Sequence, residues 1–170
     1  KLYIGKREEV FVYNERTGNF DLYYHLAGKD ITLSCLHLDE KKNLWMGTTS
    51  NGLYCLSGDK KISQPVTRGN IASIYEDSSK ELWICTWEEG LYRIKTDSTI
   101  ENFRHDPKNP NSICTDFVRS CCEDNAGNLW IGTFHGLNRY EKSTGKFQLY
   151  TANANKPDGL THSSIWCIVK

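Results

Sequence analysis

Net charge is what this chain most plainly lacks: in 170 residues, 21 Lys and Arg balance 21 Asp and Glu. Nothing in that balance draws a polyanion, so nucleic acid is not expected as a partner of this region. Long apolar runs are missing as well. None approaches the roughly 20 residues that cross a bilayer, and any membrane attachment is expected only through flanking segments absent from the sequence. The opening Lys1-Leu2-Tyr3-Ile4-Gly5 reads as a strand and not as a signal peptide. Cysteine is present seven times (35, 55, 85, 114, 121, 122, 167), but no two stand as Cys-x-x-Cys. That spacing matches neither a zinc site nor a redox motif, and most of the seven are expected as small buried hydrophobes. A glycine-rich phosphate loop, a Ser-His-Asp ordering and a nucleophile elbow are all missing. No cofactor is implied, and catalysis by this fragment finds no support.

What the chain has is aromatic residues in a pattern. Five Trp, nine Tyr and six Phe recur among Gly, Asn and Asp, with no 3.6-residue periodicity. Asn43-Leu44-Trp45-Met46-Gly47, Glu81-Leu82-Trp83-Ile84-Cys85 and Asn128-Leu129-Trp130-Ile131-Gly132 are versions of one segment, and Leu2-Tyr3-Ile4-Gly5 is a fourth. The anchors at 3, 45, 83 and 130 are separated by 42, 38 and 47 residues. Six residues before each Trp stands Asp39, Asp77 or Asp124, and six or seven after it comes Gly52-Leu53, Gly90-Leu91 or Gly136-Leu137.

Each unit parses into four short strands. The first is 33–38, 71–76 or 118–123; the second starts at Leu-Trp and the third at Gly-Leu. The fourth is 20–23, 62–67, 99–104 or 147–151. Thr17-Gly18-Asn19-Phe20 recurs as Thr144-Gly145-Lys146-Phe147 and sets the register of the third hairpin. Pro65 falls in a fourth strand, an outer edge where a missing N–H costs little. The reading is all-β: a β-propeller arc of about four blades, each a four-stranded antiparallel meander. The approximate blades are 1–30 plus 161–170, 31–69, 70–113 and 114–160, within a single 1–170 fragment.

These units resemble the two-component regulator propeller repeat. The best copy is Val118-Arg119-Ser120-Cys121-Cys122-Glu123-Asp124, then Gly127-Asn128-Leu129-Trp130-Ile131-Gly132-Thr133, then Gly136-Leu137-Asn138-Arg139-Tyr140. Departures are Cys85 for a glycine, Cys121 for an isoleucine, and the degenerate first unit. The resemblance implies a periplasmic or extracytoplasmic sensor region of a bacterial hybrid two-component system, anchored in the inner membrane. It also implies a histidine kinase elsewhere in the full-length protein and, in many relatives, sensing of polysaccharide fragments. The family's ligand residues are not part of the repeat, so none carries over.

In a blade, the loops joining strands two to three and four to one share one face of the disc. His25, His105, His135 and His162 fall there, but from separate loops without short spacing, so no metal site is expected. Trp87, Glu88 and Glu89, with Phe134 and His135, share that face. Aromatic rings stack on sugars and carboxylates accept their hydroxyls, which makes this group a candidate contact for an oligosaccharide or other small ligand. The competing reading is an ordinary loop with Trp87 folded onto its neighbour blade. Arg119, on an inner strand, either meets an anion or is a solvated channel wall. Asp39, Asp77 and Asp124 occupy one place in every repeat, which suits a turn residue bonding the backbone two residues on, not an acid–base catalyst. A sialidase-type aspartate box would set Trp five residues after Asp, and here the spacing is six.

The alternative to a sensor is a propeller lyase or hydrolase whose catalytic groups come singly from top-face loops, such as Glu88, Glu89 and His135. Residues 165–169 match an inner strand, and the first unit lacks one. The expectation is that 164–169 pair beside Lys1–Gly5, within one chain or, by preference, between two copies that self-associate into one ring.

Overall fold

The computed structural model describes residues 1–28, 30–64, 66–153 and 159–170. Pro65 lies outside the described residues. Fifteen strands form among them, and no helix. The chain falls into two compact units, Lys1–Ile71 and Ala72–Lys170.

In the first unit, β1 (Tyr3–Lys6), β2 (Glu9–Asn14) and β3 (Asn19–His25) make a three-stranded antiparallel meander. β4 (Leu33–Leu38), β5 (Leu44–Thr48), β6 (Leu53–Leu56) and β7 (Ile62–Ser63) make a four-stranded one. Val10, Leu26, Ile31, Leu44, Met46 and Leu56 form the core of this unit.

Two four-stranded meanders dominate the second unit. One is β8 (Ile71–Glu76), β9 (Leu82–Thr86), β10 (Leu91–Ile94) and β11 (Ile100–Phe103). The other is β12 (Val118–Glu123), β13 (Leu129–Thr133), β14 (Gly136–Glu141) and β15 (Lys146–Tyr150). Their shared core holds Trp83, Leu91, Val118, Ile131, Tyr140 and Phe147. Trp83 is fully buried. It stacks on Phe103 (centroids 5.8 Å apart, planes at 24°) and meets Tyr140 edge-on at 5.6 Å. Trp83 thus fills the wedge between the two sheets of this unit. Trp45 is likewise buried, whereas Trp130 is half-buried and lines an open cavity with Leu137, Leu149 and Tyr150.

The strict Asp-to-Trp spacing is a hydrogen-bonded latch. Asp39, Asp77 and Asp124 each accept the indole N–H six residues on, at 2.9, 2.8 and 2.8 Å. The other carboxylate oxygen caps the hairpin. Asp77 Oδ1 accepts from the N–H of Ser79 and Glu81, and Asp124 Oδ1 from those of Ala126 and Asn128. Hydrogen bonds from Asn128 and Trp130 hold the Asp124 carboxyl down at about 2. At Asp77 burial works to raise the value. Bonds from Lys142, Trp83 and the Glu81 backbone outweigh it, and the group stays below the usual carboxylate range. Lys142 lies between two carboxylates, 2.7 Å from Asp77 and 2.6 Å from Glu123, and so ties the last two sheets together.

The third hairpins close as the repeated Thr-Gly motif requires. Gly18 and Gly145 both stand at φ 70°, and their N–H groups reach back to Asn14 and Glu141. Close approach explains the glycine after Trp. A Cβ on Gly132 would lie 2.8 Å from Ile165 Cγ2, where the next inner strand passes. Cys85 breaks that rule, and the second departure lies in the same core. Cys121 is smaller than the isoleucine of the repeat. Its neighbour Cys85, with burial, pushes the Cys121 thiol well above its ordinary value.

Three expectations need correction. The first sheet has three strands, not four, and residues 161–170 contain no strand. Ile165 does take an inner-strand place, its N–H bonding to Thr133 O at 2.9 Å. No strand pairing of 165–169 is present among the described residues. β7 covers only Ile62–Ser63, short of the expected 62–67.

Candidate functional site

The site grows out of a β-bulge. β12 pairs Val118 with Thr133 and Ser120 with Gly132, so Arg119 is the extra residue between them. A bulged residue is re-aimed relative to its strand. β4 has the same irregularity between Leu33 and Cys35, which makes the bulge a feature of the repeat. At Arg119 it delivers a guanidinium among aromatic rings. Its central carbon lies 3.3 Å from the Trp166 ring centroid, 3.9 Å from Phe134 and 5.1 Å from Trp87. Phe134 in turn meets Trp87 and Phe117 edge-on, both at 5.9 Å. All these distances are within the range of cation–π and aromatic attraction.

The loops carrying these rings are held by threonines. Thr86 Oγ1 donates to Gly90 O at 2.7 Å and accepts the Glu89 N–H at 3.0 Å, which fixes the turn of Trp87 and Glu88. Thr133 repeats the device, donating to Gly136 O and accepting the His135 N–H. Both threonines are fully buried.

Arg119 itself is only 6% exposed, and neither Nε nor Nη1 has a hydrogen-bond partner among the described residues. Ring faces satisfy the flat sides of a guanidinium, but its N–H edge still requires acceptors. Around this floor, Phe117 and Phe134 are exposed, Trp87 is half-buried and Trp166 is 70% exposed.

Of the residues singled out from the sequence, Trp87, Phe134 and Arg119 thus come together. Glu88 and His135 are exposed. Glu89 turns to its own blade, accepting the Tyr92 hydroxyl at 3.0 Å. Phe117 and Trp166 were not anticipated. Trp166 had a signal, since it follows Ile165 as Arg119 follows Val118 in the inner-strand register.

A family model described as the two-component regulator propeller matches residues 66–88 and 112–135. These stretches contain Trp87, Phe117, Arg119 and Phe134. Those two stretches are what the chain shares with the two-component regulator propeller repeat. Solved structures agree on the fold. One is the extracellular domain of a protein titled a one-component system, from B. thetaiotaomicron. It superposes with a TM-score of 0.76 at 20% identity, over 96% of this chain and 22% of that one. Another, from a hybrid two-component system of B. thetaiotaomicron, gives 0.68 at 20% identity, over 79% and 20%. The chain thus spans about a fifth of those extracellular domains. Virginiamycin B lyase from Staphylococcus aureus shares the blade architecture at 16% identity and a TM-score of 0.67, over 88% of this chain and 50% of that one. No curated protein sequence matches.

Proposed function

We propose that this chain is a ligand-sensing propeller segment from the extracytoplasmic part of a bacterial two-component sensor. Saccharide fragments are its ligand class, and the signalling kinase lies elsewhere in the full-length protein. The observation that carries the reading is the ring-lined surface of Trp87, Phe117 and Phe134 around Arg119. Large rings held at a surface by capped loops suit stacking on a sugar face, with a polar group beneath to orient it. The family of the repeats and the extracellular source of the similar domains support the placement.

An array of neutral and acidic oligosaccharides, probed with this chain and with Trp87→Ala and Phe134→Ala, tests the proposal. Binding by the wild-type chain that drops at least tenfold in both variants is the expected result. A chain that binds no saccharide, or variants that bind as well as wild type, would overturn it.

A further inference from the structure

Arg119 presents a physical problem that the fold does not solve. A guanidinium cannot shed its charge, and a buried charge without a partner is costly. Here the residue is 6% exposed, yet Nε and Nη1 have no acceptor among the described residues. Two other cations of the same unit, Arg93 and Lys142, are paired. Arg93 bonds Glu81 through Nε at 2.7 Å and Glu101 at 3.3 Å, and Lys142 contacts Asp77 and Glu123. The bulge at 118–120 sets the Arg119 guanidinium among the rings of Trp166, Phe134 and Trp87.

We infer that Arg119 is the anchor of a carboxylate-binding subsite, and that the ligand is an acidic sugar presenting a single carboxylate to the guanidinium edge. This rests on the saccharide-sensing reading above and narrows it. A planar carboxylate matches the N–H edge of one guanidinium with two parallel hydrogen bonds. A phosphate dianion fits less well than a singly charged carboxylate, because the neighbouring turn brings the acidic Glu88, whose repulsion grows with the charge of the ligand. The exposed rings of Phe117 and Phe134 then cover the apolar face of the sugar that bears the carboxylate. Trp166 is the wall that yields. Its ring covers the guanidinium at 3.3 Å, but it is 70% exposed and belongs to no strand. Its displacement opens the guanidinium to a ligand and changes its fluorescence.

The experiment is a fluorescence and calorimetric titration of the chain with trigalacturonate and with neutral galactotriose, repeated on Arg119→Gln and Arg119→Met. The expected result is binding of trigalacturonate at least tenfold tighter than the neutral trimer, with that preference abolished in both variants. A thermal midpoint equal to or above wild type is expected for Arg119→Met, since it removes an unpaired buried charge. If wild type and variants bind both trimers equally, the saccharide reading stands and the carboxylate inference is wrong. Loss of the preference with a lowered midpoint in Arg119→Met would assign Arg119 to the fold through its rings and overturn the inference. If neither trimer binds, the inference also fails, and the saccharide array alone then decides the broader reading.

Discussion

Replacing Asp77 by Asn keeps the shape of the latch and removes its charge. The Asp77 side chain is 0% exposed. It takes two backbone N–H groups on Oδ1, and the Trp83 indole and Lys142 ammonium on Oδ2, at 2.8 and 2.7 Å. Asn has one acceptor oxygen. If that oxygen keeps the backbone bonds, the amide NH2 faces two donors. Hydrogen bonds to a charged acceptor contribute about 1.5–3 kcal/mol each, and removing one partner of a buried ion pair costs about 3–5 kcal/mol. Lys142 retains Glu123 at 2.6 Å, which places the expected loss near the lower end, about 3 kcal/mol. Asp39→Asn is the internal control. It breaks the Trp45 bond, but among the described residues no lysine bonds Asp39, so about 1–2 kcal/mol is expected. Urea unfolding followed by tryptophan emission at pH 7 measures both. The Asp77 carboxyl is held below its ordinary value, so its stabilisation is present above the usual carboxylate range and fades in acid. The wild-type advantage should therefore shrink as the pH falls through and below that range. Equal losses in the two variants would remove Lys142 from the account, and an unchanged Asp77→Asn would refute the latch itself.

Three further outcomes are expected. Cys121→Ile should overpack the site beside Cys85 and cost about 1–3 kcal/mol. The double variant Cys85→Gly with Cys121→Ile should recover most of that loss in a double-mutant cycle, and simple additivity would refute that coupling. Asp124, held at about 2 against an unfolded value near 3.9, should add stability above about pH 4 that disappears between about pH 4 and 2. A urea midpoint in Asp124→Asn that runs parallel to wild type across that window would contradict this. Trp87→Ala should leave the unfolding midpoint within about 0.5 kcal/mol of wild type, as suits a half-buried loop residue outside the core. A loss comparable to that of a core tryptophan would make Trp87 a packing residue.

Strand positions were legible because they depend on local pattern. The inner strands 33–38, 71–76 and 118–123 and the Leu-Trp starts appear where alternation and turn residues put them. The Asp-to-Trp spacing was visible but only half understood. A turn reading accounts for the backbone caps, while the indole bond needs β5, β9 and β13 folded back over their aspartates before residue six can reach residue zero. The two cysteine departures looked independent for the same reason, since strand order must be known before Cys85 and Cys121 become neighbours.

The ring cluster was harder still. Its members come from the β9–β10 turn, the segment before β12, the β13–β14 turn and the stretch beyond β15, and no sequence spacing joins them. Nor does a sequence show a bulge, because a bulge is a mismatch between two strands and not a property of either. A one-residue slip is what separates an Arg119 in regular alternation from one re-aimed among Trp87, Phe134 and Trp166. The repeat therefore encodes the scaffold many times over, while the site depends on residues that appear once. A residue type at the bulged position is free to vary from blade to blade, Ser34 in one and Arg119 in another, without disturbing the ladder on either side. That independence lets one blade carry a charge the fold does not need.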